Sequence, residues 1–191
     1  MPEKPTIKPW TKLDTRLVAK ARVFDMNVSR MRSPDGSYED DYYSLDCPDW
    51  SNIIALTADK QVVLIEQYRH GIDDISLEIP GGIIDPNEDP EAGTVRELAE
   101  ETGYTVKKVH SLGWVHPNPA IQANKCHLFY GVGAELTKER NLDIDEDIAV
   151  KLVSLDEVLT AIMEERFSHS LMIAAFLKLF CSDFSPIEFR R

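Results

Sequence analysis

The chain has few cysteines, a shortage of cations and no long apolar run, and each shortage removes a class of protein. Cys47, Cys126 and Cys181 are its only cysteines among 191 residues. They make no even framework and no metal-type spacing, which argues against a disulfide scaffold and suits a reducing, cytoplasmic compartment. No apolar stretch approaches the ~20 residues that cross a bilayer, and the opening MPEKPTIKPW lacks the apolar core of a signal peptide. Lys and Arg number 21 against 33 Asp and Glu, giving a net charge of −12. A field of that sign repels nucleic acid and anionic membranes, so neither is an expected partner. A small anionic substrate stays open, because carboxylate clusters recruit metal ions that reverse the local sign.

What is present reads as a layered globular protein. A hydrophobic content of 43% and a charged content of 28% are ordinary for a soluble domain. Residues 1–16 are polar and proline-containing, which predicts a loose arm. Strands are expected between Leu17 and Leu45, broken at SPDGSYEDD, and again at 52–58, 61–69 and 76–80. ADK at 58–60 suits a hairpin turn, and GGIIDPNEDP reads as a loop. Asp89 is placed to cap a helix that starts at Pro90, runs to about Thr102 and stops at Gly103. Strand-like text follows at 105–115 and 126–134, then an acidic loop at 139–147 and another strand, IAVKLVSL. Ser154 and Glu157 form a capping box for a helix of about ten residues. The last helix, SHSLMIAAFLKLFC, turns Leu171, Ala174, Ala175 and Leu179 inward. Helices among mixed strands imply an α/β or α+β architecture. Some fifty N-terminal residues are too few for a comfortable core of their own, so 1–50 reads as an arm and small β-region and 51–191 as the main domain.

One stretch raises a chemical question. RELAEETGY places Glu97, Glu100 and Glu101 on barely two helical turns, where like charges repel by a few tenths of a kcal/mol per pair. At about 100° per residue, Ala92, Val95, Leu98 and Ala99 share a core-facing side while the three glutamates occupy another arc. Arg96 lies one turn before Glu100 and can pair with it. The cluster is either a solvated helix face or a rigid set of oxygen ligands for a hard cation such as magnesium.

The wider pattern decides between them. Gly82, Glu88, Arg96, Glu97, Glu100, Glu101 and Gly103 stand at the spacing G-x5-E-x7-R-E-U-x-E-E-x-G-U, with Leu98 and Tyr104 at the apolar U positions. Seven fixed residues at about 7% background each make a chance match on the order of 10⁻⁶ for a chain this long. This pattern resembles the Nudix box. The resemblance implies an α/β/α sandwich with a mixed sheet, and a hydrolase of nucleoside diphosphates linked to another moiety, using Mg²⁺ or Mn²⁺. It makes Glu97 and Glu101 principal metal ligands, with Glu100 and the backbone carbonyl of Gly81 contributing. Arg96 would hold the carboxylates, and Glu88 would be structural.

The flanks of the box resemble the ADP-ribose pyrophosphatase subgroup. Pro119 stands sixteen residues beyond Gly103, as in that subgroup, and EQYRHG matches its diphosphate-contacting arginine at Arg69. VHPNPAIQANKCH also resembles hydrolases of other nucleotide sugars, including GDP-mannose. A general base is expected from NLDIDEDIAV, with Glu146 preferred over Asp143 and Asp145. Trp50 is a candidate for stacking on a purine base, its alternative being core packing. His116 and His127 lack metal-ligand spacing and read as core or loop histidines. Cys126 and His127 should point to opposite faces of a strand. Relatives of this kind suggest a homodimer through the N-terminal region. A non-catalytic nucleotide-sugar sensor and a hydrolase of damaged nucleoside triphosphates are the competing functions.

Overall fold

The structure, a computed structural model, describes residues 7–144 and 146–187. The chain divides into two compact units, Met1–Pro48 with His116–Asn124, and Asp49–Val115 with Lys125–Arg191.

The first unit carries a three-stranded antiparallel sheet of β1 (Thr11–Lys20), β2 (Asp25–Arg32) and β3 (Glu39–Asp46), in that order. β1 corrects the reading of a loose arm over 11–16, while residues 1–6 of that reading lie outside the described residues. Its residues are exposed throughout, and two register shifts interrupt its ladder with β2. Backbone pairing rather than burial holds this strand, so its sequence shows no two-residue apolar period. Pro119 belongs to this unit, in the segment whose Ile121 carbonyl accepts the Leu45 N–H at 2.7 Å.

The second unit is built on a mixed sheet. Its central path runs β11 (Ile148–Ser154), β5 (Gln61–Arg69), β4 (Trp50–Thr57), β10 (Cys126–Leu136) and β8 (Tyr104–Thr105). β6 (Asp74–Glu78) pairs with β5, β7 (Gly81–Ile83) with β4, and β9 (Lys108–Val115) with β10. β4 and β10 are parallel and the other pairs antiparallel. Alternation along β4 and β5 feeds two cores. Ile54, Leu56, Val62 and Leu64 meet α2 (Leu155–Met163) and α3 (Ser170–Phe180) on one face. Ile53, Ala55 and Val63 meet Leu98 of α1 (Pro90–Thr102) on the other. Helices on both faces of a mixed sheet make an α/β/α sandwich.

Local chemistry sets the helix ends as the sequence suggests. Asp89 Oδ1 accepts from the N–H groups of Glu91 and Ala92, Pro90 opens α1, and Gly103 closes it in the left-handed region at φ 76°. Ser154 Oγ accepts from Glu157 N at 3.2 Å and starts α2. The buried face of α1 differs from the expected one: Ala92 is exposed, while Gly93, Thr94, Leu98, Ala99, Glu101 and Thr102 are buried. The buried face of the helix therefore includes a carboxylate, Glu101. GGI at 81–83 is also a strand rather than loop, since Asn52, Ser51 and Trp50 of β4 pair with it in register. That pairing is tertiary and leaves no local signal in a glycine pair.

Candidate active site

Four elements converge around the acidic face of α1. Arg96 is the hub. Its Nε and Nη2 donate to the two oxygens of Glu88 at 3.0 Å each, and its Nη1 donates to Glu97 Oε1 at 2.8 Å and Glu100 Oε2 at 2.9 Å. Glu88 in turn accepts the Asp85 N–H at 3.1 Å, locking the loop before the helix. The fork of Arg96 holds the Glu88 carboxyl below its ordinary range. The pairing with Glu100 agrees with the helix-wheel reading; the contact with Glu97 adds to it.

Glu101 is the most confined of the α1 acids, with 3% of its surface exposed. It accepts the Gly81 N–H at 2.9 Å through Oε2. Burial pushes its carboxyl well above the ordinary value, and the charges of Glu97 and Glu146 push the same way against the Gly81 hydrogen bond. Glu97 is also raised, by burial first and then by Glu100 and Glu146, with Arg96 opposing. Glu146 therefore belongs electrostatically to the cluster although it comes from the loop before β11. Its Oε2 accepts the Asp143 N–H at 3.0 Å, and its own N–H donates to the Asp143 carbonyl at 3.0 Å. Asp143 contributes backbone, and Asp145 lies outside the described residues.

Two glycines make room for this packing. A Cβ at Gly81 would sit 2.1 Å from the Ser51 carbonyl oxygen, and one at Gly82 would sit 2.6 Å from the Glu97 carboxyl carbon. β7 thus runs directly against the carboxylates, which puts peptide groups within reach of anything they bind.

Arg69, at the end of β5, lies in the field of Glu101 and Glu146. Its Nε and Nη2 donate to Glu78 of β6 at 2.8 and 2.6 Å. Glu78 is 1% exposed. Burial pushes its carboxyl up, and Arg69, with Ser76 and His169, more than offsets this, so it ends below its ordinary value. The sequence reading missed Glu78; its only signal was an acid set between the apolar Leu77 and Ile79. Trp50 opens β4 and packs, half-buried, against the core that holds α2 and α3.

The remaining candidates fall away as read. Cys126 Sγ donates to Asn52 Oδ1 at 3.1 Å, burial lifts its thiol to about 12, and His127 pairs instead with Asp49 at 2.9 Å. The two neighbours form no dyad. His116 bonds through Nδ1 to the Asn124 carbonyl at 3.1 Å.

The cluster suits a hard divalent cation by its chemistry. It offers carboxylate oxygens only, and the mutual repulsion of Glu97, Glu101 and Glu146 is what a cation relieves. Among the described residues no three acidic, histidine or cysteine side chains form a ready ligand set, because Glu97 and Glu100 are turned onto Arg96.

Comparison with known proteins defines the class. The NUDIX domain family matches residues 50–176, about two thirds of the chain. The chain belongs to the Nudix family and is a Nudix hydrolase, a class that generally uses divalent metals such as Mg²⁺. It is 31% identical to the methanol dehydrogenase activator of Bacillus methanolicus over 91% of its own length and 90% of that protein. It is 29% identical to the ADP-ribose pyrophosphatase of Bacillus subtilis (strain 168), covering 77% of this chain and 82% of that one. A crystal structure of an ADP compounds hydrolase superposes with a TM-score of 0.81 at 20% identity, covering 92% of this chain and 95% of the other, and shares the fold. Among the described residues, no helix is long and apolar enough to span a membrane.

Proposed function

We propose that this chain hydrolyses the diphosphate linkage of ADP-ribose or a related nucleoside diphosphate sugar, with Mg²⁺ or Mn²⁺, to a nucleoside monophosphate and a sugar phosphate. The observation that carries this reading is a partly buried carboxylate cluster beside a clamped arginine. Glu97, Glu101 and Glu146 repel one another, and Arg69 stands in the field of Glu101 and Glu146. Acids of this kind suit metal ions, and the arginine suits phosphate oxygens. Similarity to the B. subtilis ADP-ribose pyrophosphatase supports the substrate class.

Glu97 and Glu101 would hold the cation, with Glu100 and the Gly81 carbonyl contributing. When bound, it would offset charge developing on the phosphoryl oxygens and lower the pKa of a bound water. The chain's own residues supply the rest. Arg69 holds the diphosphate, and Arg96 steadies the helix carboxylates. Glu146 accepts a proton as the water oxygen bonds to phosphorus and the bridging P–O bond breaks. Trp50 stacks on the base, and Pro119 shapes a substrate loop. The chain works as a cytoplasmic homodimer.

The test is a panel of ADP-ribose, GDP-mannose and nucleoside triphosphates assayed with Mg²⁺ and with Mn²⁺. Nucleotide sugars should yield monophosphate and sugar phosphate well ahead of any triphosphate. Preference for triphosphates would favour removal of damaged nucleotides, and binding without turnover would favour a sensor. A role toward a partner enzyme draws support from the similarity to the methanol dehydrogenase activator. Turnover by the isolated chain separates the two, since a role confined to a partner needs none.

A further inference from the structure

An arginine beside an acidic cluster has an obvious resting place, which is on the acids. Arg96 shows this, spread over Glu88, Glu97 and Glu100. Arg69 feels Glu101 and Glu146 as well, yet its hydrogen bonds go elsewhere. It folds back along the hairpin to Glu78, although in register Arg69 faces Asp74 and Glu78 faces Ile65. The two-point fork takes Nε and Nη2 and leaves Nη1 outside the pair. Glu78 is the stronger attractor because it is buried to 1% exposure and the pairing of β6 with β5 fixes its position. Ser76 lends it a further hydrogen bond, and His169 lies within its field. A charge held in so little water binds a fork partner tightly, and removing that partner is costly.

We propose that Glu78 is a positioning residue that clamps Arg69 away from Glu101 and Glu146, so that a guanidinium can stand beside cation-binding acids without occupying them. The clamp solves a conflict built into the site. Anion recognition needs a positive group near the phosphates, while cation binding needs the acids free. Without Glu78 the guanidinium is released to the remaining carboxylates and competes there with any divalent ion. The inference rests on the functional reading above for the identity of the cation-binding acids.

The experiment measures Mn²⁺ binding alone, by electron paramagnetic resonance, without substrate. Wild type, Glu78→Gln and Arg69→Gln/Glu78→Gln are compared, each checked for a normal unfolding transition. Glu78→Gln keeps the shape and should weaken Mn²⁺ binding about tenfold, within the usual range of coupling between sites. Adding Arg69→Gln removes the competitor and should restore Mn²⁺ affinity to within about twofold, while turnover stays low. Rescue by deleting the arginine is the signature, since a merely structural glutamate would not be rescued this way. Equal Mn²⁺ affinity in wild type and Glu78→Gln, or equal losses in the single and double variants, overturns the clamp and leaves the hydrolase reading standing. A wild type that binds no Mn²⁺ overturns the functional reading and the clamp with it.

Discussion

Gly81 donates its backbone N–H to Glu101 across twenty residues of sequence, at 2.9 Å, and ties β7 to the buried acid of α1. That bond fixes one oxygen of a carboxylate that burial would otherwise favour as neutral. Strand and helix are thereby aligned at the point where the proposed chemistry occurs.

Glycine at 81 and at 82 serves different ends, and alanine should reveal it. Gly81→Ala drives a Cβ into the Ser51 carbonyl, which is backbone and cannot yield. The expected loss is about 3 kcal/mol of stability, read from chemical unfolding. Gly82→Ala meets only the movable end of Glu97, so stability should fall by less than about 1 kcal/mol. Its turnover should nevertheless drop sharply, because the carboxylate is pushed aside. Comparable stability losses in both variants would contradict this division.

The loop acid is tested by isosteric changes. Glu146→Gln should bind substrate and lose about 10²–10⁴ in kcat, the usual range for a general base. Asp143→Asn should cost little, since Asp143 holds Glu146 through its peptide groups and both survive the substitution. Measuring kcat against pH at saturating substrate and metal separates them. Similar small losses in the two variants would remove Glu146 from the proton transfer.

Stability should carry a pH signature of the Arg69–Glu78 pair. Glu78 has its carboxyl lowered from an ordinary value of 4.5, burial being outweighed by Arg69 together with Ser76 and His169. A lowered acid binds fewer protons when folded than when unfolded, so stability rises with pH in that window. The contribution is present above about pH 4.5 and fades as pH falls through the folded value. The groups facing Glu78 are Arg69, Ser76 and His169. Unfolding free energies of wild type and Arg69→Gln/Glu78→Gln should therefore converge below pH 4.5. A constant difference across pH 3–7 would count against it.

Trp50 is tested by separating two losses. If it stacks on a base, Trp50→Ala should raise KM more than it lowers kcat, because stacking is similar in ground and transition states. Its half-buried place against the core predicts a lower thermal midpoint as well. A lower midpoint with unchanged KM would make it a packing residue alone.

Much of this arrangement could be read from the chain because its signals are local. The ends of α1 follow from Asp89, Pro90 and Gly103, and β5 follows from an apolar run bounded by turns. The acids of RELAEE announce their cluster by spacing. The first part of β1, before Leu17, could not be read, because a strand exposed on both faces needs no apolar alternation. β7 depends on β4, about thirty residues earlier in the chain, and not on its own glycines. The burial of Glu101 was hidden because the helix wheel placed Ala92 inward, whereas Ala92 is exposed and the buried face extends from Leu98 and Ala99 to Glu101 and Thr102. Glu78 looked like any strand acid until Arg69 came back along the hairpin to meet it.

The most direct measurement is product analysis of ADP-ribose with wild type and Glu101→Gln, each with and without Mg²⁺. The account predicts equal amounts of AMP and ribose 5-phosphate from wild type, only with the cation. Glu101→Gln, folded by its unfolding transition, should lose turnover by at least about a hundredfold. Cation-independent cleavage, or near-normal turnover by Glu101→Gln, would contradict it.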